Sequence, residues 1–394
     1  MTRQTLIAAA VALTLSHTPG HAADAVSQGV STEFGSRQIA AAVWTPARYA
    51  AARPLELPTA DFDPFSLDRE PASINRPPSF GMADQPPLTE PTPEPELLFV
   101  PQEDDPPVSG PTTGKRLPRQ VTAETRRPLD VGVFHPNARF SSQRLVPLDA
   151  DLAYPYRTVG KLFFTMPGSG EGMCSAAIIA PRLVLTAGHC VHAGNNSPNG
   201  WFANFRFIPS YRDGTAPYGT WNVSWAITTY TWFSGGGAVP NAGDFAILEI
   251  QDRSIDGMTV RIGDYLGWLG WKTHALAPNH AHLLGYPGNH DFGEKMHQVT
   301  AQSWGDYANN TSLYGSDMAG GSSGGPWIGN FGPPADGQTG GLDAARNQVI
   351  GVTSFGFVDP TQQVQGSSVL DQQFYNDSGT GIQNVACGRQ PGNC

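Results

Sequence analysis

Charge is scarce in this chain. Asp, Glu, Lys and Arg together make up 15% of its 394 residues. Long solvated helices need a polar face rich in such residues, so a mainly helical architecture is disfavoured. Basic residues are the scarcer sign, 24 Lys and Arg against 34 Asp and Glu, for a net charge of −10. That balance argues against a nucleic-acid partner, which wants a basic face. Beyond the first residues no stretch is apolar and long enough to cross a bilayer, so no membrane span is expected. Phosphate-binding loops and dinucleotide fingerprints are missing, and no cofactor is expected. No internal repeat is evident. Cysteine is sparse as well. The four residues Cys174, Cys190, Cys387 and Cys394 suit an oxidising compartment and leave three pairings open.

Glycine (45) and proline (35) are abundant instead. They favour many turns and short strands over helices. Residues 1–22 read as an export signal, with Arg3 as a basic start, an apolar core from Leu6 to Leu15, and a small-residue cut site at Gly20-His21-Ala22 or His21-Ala22-Ala23. The expected location is therefore secreted or periplasmic. Residues 23–130 read as a tether or pro-segment, largely disordered. Sixteen of the 70 residues from 51 to 120 are proline, and apolar residues fall there without period. Such a stretch buries too little surface to offset its ordering entropy. Within it, the Ala-rich patch from Gln38 to Ala52 is a place for one short helix. Lys115-Arg116, Arg119 and Arg126-Arg127 are candidate cutting sites, although basic pairs in linkers are often just solvated.

A folded domain is expected over 131–394. Tyr154 to Phe164 reads as a turn into a first strand. Further strands are expected at 176–179, 184–186, 204–208, 221–232 and 245–250. A second set follows at 268–273, 281–285, 298–304, 312–314, 326–328 and 348–357. Short strands with Gly, Pro and Asn punctuation point to an all-β barrel or sandwich.

The residues able to do chemistry stand in three stretches. Gly320-Gly321-Ser322-Ser323-Gly324-Gly325-Pro326 surrounds Ser323 with glycines, which let the backbone turn sharply and approach a substrate. A serine hydroxyl is a poor nucleophile at neutral pH and needs an adjacent base. His189 ends the run Thr186-Ala187-Gly188-His189-Cys190, and its imidazole can accept and return a proton near neutrality. Asp244 opens Asp244-Phe245-Ala246-Ile247-Leu248 at the mouth of a buried strand. Asp213, its nearest competitor, reads as a turn residue. Of the adjacent serines, only Ser323 has Gly-x before it and Gly-Gly-Pro after it.

These three stretches, in the order His, Asp, Ser, resemble the chymotrypsin/trypsin-like serine peptidases. Ile208 to Gly219 and Gly285-Tyr286-Pro287-Gly288 are similar to the bacterial V8-like (glutamyl endopeptidase-like) group. The resemblance implies two six-stranded antiparallel barrels with the active site between them, and a short C-terminal helix near Ser367 to Tyr375. It implies His189 as base, Asp244 as its orienting carboxylate and Ser323 as nucleophile. The backbone N–H groups of Gly321 and Ser323 would form the oxyanion hole. It also implies a Cys174–Cys190 bridge, leaving Cys387 with Cys394. Thr353-Ser354-Phe355-Gly356 resembles the strand that pairs with an extended substrate, with Ser354 also supporting Asp244. Asp317, six residues before Ser323, matches a pocket-floor position that in trypsin selects Arg or Lys, but an Asp there is also common in the V8-like group, where the resemblance implies a structural turn residue instead.

Two departures accompany the likeness. Ser322 replaces the Asp that pairs with a newly cut N-terminus in the trypsin group, so activation by an inserted N-terminus is not expected. Any control by the N-terminal region is expected to be steric or chaperone-like. Thr353 replaces the His of the V8-like pocket for acidic residues. His280, His282, His290 and His297, with Asp291, are spaced too loosely for a usual zinc site, and no metal is expected. The partners expected are protein or peptide substrates, and the protein is expected to be monomeric. The alternative function is a non-catalytic peptide- or surface-binding module on the same fold.

Overall fold

The computed structural model describes residues 29–34, 43–62, 78–82, 91–101, 131–133, 139–168, 170–307, 310–332, 345–359 and 361–394. The expected export signal and basic cutting sites lie outside these residues. Ahead of residue 145 the described residues supply seven strands, β1 (Gly29–Glu33), β2 (Arg53–Pro54), β3 (Thr59–Ala60), β4 (Phe80–Gly81), β5 (Glu96–Leu97), β6 (Val131–Val133) and β7 (Arg139–Arg144), and helix α1 (Pro46–Ala51). Thr45 caps α1 through its hydroxyl, and Pro46 sits in the first turn, where a missing N–H costs nothing.

Six strands form a closed antiparallel barrel: β8 (Val159–Met166), β9 (Gly170–Ile178), β10 (Leu183–Thr186), β11 (Ala203–Pro209), β13 (Trp221–Thr229) and β14 (Ala246–Ile250). The order β13-β11-β8-β9-β10-β14 returns to β13. β10 and β14 read as short apolar runs because all of their residues are buried, whereas β13 begins with alternating buried and half-buried residues. All five residues of β14 are buried. Its Glu249 is tolerated there because Arg389 and Asn393 both donate to Oε2, at 2.9 and 2.8 Å. A buried carboxylate without such partners would be costly.

The second half carries β17 (Gly270–Lys272), β18 (His280–Gly285), β19 (His297–Tyr307), β20 (Thr311–Gly315), β21 (Pro326–Gly329), β22 (Gln348–Val352), β23 (Gly356–Phe357) and β24 (Val364–Ser368). Short pairings outside the barrels are β12 (Thr215–Ala216) with β5, and β15 (Arg253–Ile255) with β16 (Met258–Val260). The order β24-β20-β19-β18-β21-β22 is antiparallel, and a bridge between Phe355 and Gly366 ties its ends. The protein is therefore mostly β, as the turn-rich composition predicts, with the trypsin-like fold that the resemblance implies.

Several boundaries differ from the sequence reading. The stretch 367–375 is not a helix: Ser367 and Ser368 end β24, and the C-terminal helix is α4 (Ile382–Gly388). β24 (Val-Gln-Gly-Ser-Ser) gives almost no strand signal, because its small residues are chosen for close burial, all five being buried. It pairs with β20, whereas the expected strand 268–273 shortens to β17, which lies outside the antiparallel set, parallel to β22 and flanked on its other side by β4. Thr229 ends β13 by capping α2 (Tyr230–Phe233) with its hydroxyl. The expected strand over 348–357 breaks at Thr353 and Ser354. A further short helix, α3 (Ile262–Leu266), lies between the halves.

The described parts of 23–130 are docked rather than free. β1 pairs with β13, β2 with β9, β3 with β23, β4 with β17 and β5 with β12. Phe34 and Tyr49 enter the main apolar core. Composition missed these contacts because the segment builds no core of its own and borrows that of the domain.

Candidate active site

His189 lies in the buried turn Gly188–Cys190 that follows β10. The Cys174–Cys190 disulfide ties that turn to β9, as the family resemblance implies, and Cys387 pairs with Cys394. Asp244, fully buried, grips His189 twice. Its Oδ1 accepts the backbone N–H of His189 and its Oδ2 contacts Nδ1, both at 2.8 Å. Ser354 Oγ donates to Oδ2 at 2.6 Å, the support expected of Ser354. Ser368 Oγ accepts the N–H of Asp244 at 3.2 Å and donates to the carbonyl of Asn241 at 2.6 Å. The carboxylate is thus fixed from three sides, and the ring is held with Nε2 away from it. That nitrogen is buried and has no hydrogen-bond partner among the described residues.

Ser323 sits on the glycine turn ahead of β21. Its Oγ is also buried and unpartnered. Gly321 and Gly324 have φ of +90° and +75°, where a side chain would be strained. A Cβ on Gly324 would also lie 2.0 Å from Thr186 Oγ1. Ser175, beside Cys174, pins this turn to the first barrel. Its N–H donates to the Ser323 carbonyl at 2.8 Å and its Oγ to the Gly321 carbonyl at 2.9 Å. Ser322 is otherwise engaged: its Oγ donates to Ala319 and accepts from Gln365 Nε2. Of the adjacent serines, only Ser323 has a hydroxyl without a partner.

The expected substrate-side residues divide. Thr353 Oγ1 accepts Trp327 Nε1–H at 2.9 Å and is buried. Phe355 is buried in a small apolar cluster with Ala60, Leu313, Phe357 and Val364. The N–H of Gly356 donates to the carbonyl of Pro58. Asp317 is not a free carboxylate. Ser142 Oγ donates to its Oδ1 at 2.6 Å, and His290 Nε2 contacts its Oδ2 at 3.1 Å. Burial opposes ionisation of Asp317, but the hydrogen bonds from His290 and Ser142 outweigh it and hold the carboxyl below its usual range.

The loose histidines separate into two groups. His290 and His297 stack with ring centroids 4.2 Å apart. One donor atom from each of His290, His297 and Asp317 falls within 4.8 Å of the others, so these are side chains that could hold a metal ion. Cys174, His189 and Cys190 also lie that close, but both thiols are spent in the bridge. His280 and His282 face each other elsewhere, at 6.0 Å. Spacing in sequence could not reveal the His290–His297–Asp317 grouping, because a hairpin and a return loop assemble it. Ser175 and Ser368 were likewise missed; nothing local marks either of them.

Burial first, and then the neighbouring His290, push His297 down to about 4. A histidine with a depressed folded pKa binds its proton more readily when unfolded. Its neutral form therefore supports the fold above about pH 6.5, and that support is lost as pH falls towards 4. The full shift is worth about 3 kcal/mol at most. Burial lowers His282 to about 4 as well, with the same sign. His297→Gln is expected to show a smaller drop in Tm between pH 7 and pH 4.5 than the natural protein. Equal drops would remove His297 from the acid response.

Residues 161–370 match the family model named Trypsin. That span is more than half of the chain, and the chain belongs to the trypsin family. It is 28% identical over 180 residues to a glutamyl endopeptidase of Bacillus licheniformis, covering 44% of this chain and 49% of that one. It is 22% identical over 189 residues to a protein of Bacillus subtilis named extracellular metalloprotease, covering 46% and 55%. The chain thus spans about half the length of these curated relatives. The crystal structure of the protease Anisep from Arthrobacter nicotinovorans is 25% identical, with 58% of this chain and 93% of that one covered and a TM-score of 0.45. Within the family, the likeness is to the V8-like group. Among the described residues no helix is long and apolar enough to cross a membrane.

Proposed function

We propose that the protein is an exported serine endopeptidase whose catalytic unit is residues 131–394. His189, Asp244 and Ser323 form its triad. The observation that carries this reading is the double grip of Asp244 on His189, which leaves Nε2 without a partner, as Ser323 Oγ also is. In the reaction, His189 Nε2 takes the proton of Ser323 Oγ as the oxygen attacks the peptide carbonyl carbon. Asp244 holds Nδ1–H and so keeps Nε2 as the basic nitrogen. The tetrahedral oxyanion takes hydrogen bonds from Gly321 and Ser323 N–H groups, each worth about 3–4 kcal/mol in such a site. His189 then gives its proton to the leaving amine, and an ester to Ser323 remains. Water, deprotonated by His189, attacks that ester; the bond to Ser323 Oγ breaks, His189 returns the proton to that oxygen, and the acid is released.

An Asp317 already held by Ser142 and His290 is a poor partner for a substrate guanidinium. The site therefore favours side chains other than Arg or Lys. Labelling with a fluorophosphonate tests the reading. Ser323 should carry the label, and Ser323→Ala should not. A folded protein freed of its N-terminal segment that never labels would leave only the peptide-binding alternative.

A further inference from the structure

One stretch of the N-terminal segment runs across the candidate site. Arg53-Pro54-Leu55-Glu56-Leu57-Pro58-Thr59-Ala60-Asp61-Phe62 enters along the first barrel, where β2 pairs parallel to β9. The Leu55 N–H donates to the carbonyl of Met173, the residue before Cys174. The Leu55 carbonyl then accepts the N–H of Gly321 at 3.0 Å. That donor is one of the two assigned above to the oxyanion. A Cβ on Gly320 would lie 2.8 Å from the same carbonyl oxygen, so the contact is backbone on backbone. The stretch leaves along the second barrel. Gly356 and Val358 donate to the carbonyls of Pro58 and Ala60, at 3.0 and 3.2 Å. Ala60 is 2% exposed, buried against Phe355 and Phe357. The Phe62 ring meets Phe357 edge-on at 5.2 Å.

We infer that residues 53–62 are a built-in competitive inhibitor of this peptidase, a strap that fills the substrate groove and holds the chain latent until it is displaced. The inference rests on the serine-peptidase reading. The strap takes the two things a peptide substrate needs, a strand edge at 356–358 and an N–H for its carbonyl. With the strap in place, His189 Nε2 and Ser323 Oγ are both buried. Nor is it presented as a bond to be cut. Its Leu55 carbonyl takes the Gly321 N–H, but no hydrogen bond joins it to the Ser323 N–H. An attacked carbonyl would need both. The strap runs parallel to β23, and Pro54 and Pro58 fix φ at two of its positions. Prolines lower the entropy lost when an extended peptide is held. That gives a reason for proline here other than solvation.

The test uses the intact full chain, its integrity checked by mass, with a short fluorogenic peptide and a fluorophosphonate. Ala60→Asp puts a charge into the apolar cluster and should expel the strap. Peptide hydrolysis is expected to rise at least tenfold, and labelling of Ser323 to rise with it. Phe62→Ala trims only the strap and should raise hydrolysis severalfold. It decides the matter if Ala60→Asp does not fold. A synthetic peptide of residues 53–62 added to either variant should raise KM and leave kcat unchanged. Variants that label at Ser323 yet hydrolyse at the rate of the natural chain would overturn the strap and leave the peptidase reading intact. Folded variants that never label would overturn the peptidase reading, and the strap's role with it.

Discussion

Ser323→Ala and His189→Ala are each expected to lower kcat/KM for a peptide substrate about a million-fold, and the double variant to be little worse. In the proposed reaction no acyl-enzyme forms without the Ser323 oxygen. Without the His189 imidazole that oxygen keeps its proton and the leaving amine receives none. Because both act in one step, the second loss removes little that remains. Asp244→Asn should lose about ten-thousandfold, since an amide at that position favours the wrong ring tautomer. Here the loss has a further cause, because Asp244 also receives the His189 N–H and the Ser354 hydroxyl. The assays belong on protein with the strap displaced. Activity surviving in Ser323→Ala would move the nucleophile elsewhere. Ser322 is a weak substitute, as its hydroxyl already serves Ala319 and Gln365.

Replacing Cys174 and Cys190 with Ala should cost more activity than replacing Cys387 and Cys394. The first bridge ends in the turn that carries His189, and its other end lies beside Ser175, which pins the Ser323 turn. A misplacement of about 1 Å in such a site costs roughly a hundredfold in rate. Loop closure adds about 3 kcal/mol of stability for a loop of this size. The second bridge ties the end of α4 to the C-terminus, far from the glycine turn in sequence and bound instead to β14 through Arg389 and Asn393. Kinetics and thermal melts of the two double variants check this. Equal losses of activity would refute the mechanical link between the Cys174–Cys190 bridge and His189.

The residues of the site were legible because each sits in a local pattern that is itself structural. Gly321 and Gly324 are glycine because their φ is positive, and they surround Ser323 in the sequence as in space. His189 follows a buried strand and precedes a bridged cysteine. What joins them was not legible. Ser175 and Ser368 are ordinary serines whose neighbours come from elements more than a hundred residues away. β24 gives no strand signal because Val-Gln-Gly-Ser-Ser lacks any alternation, and its last two residues fall in the 367–375 stretch that the resemblance marks as helix. The strap was hidden for a different reason. Proline-rich, aperiodic sequence looks unable to fold alone, and it does not have to when another surface supplies the partners.

The attachment of the N-terminal segment to the first barrel separates cutting from switching on. β1 pairs five residues with β13, Arg389 meets Glu33 at 2.8 Å, and Arg48 reaches Glu171 at 2.7 Å. Trp44 donates to the carbonyl of Asn204, while Phe34 and Tyr49 lie in the core. A single cleavage downstream of residue 101 would leave all of these contacts in place. The clipped protein would then persist as a two-chain complex, and its activity would follow the dissociation rate of the smaller piece. Such a complex gains activity on dilution and loses it on concentration, so the time course after cleavage carries a lag that cutting faster does not shorten.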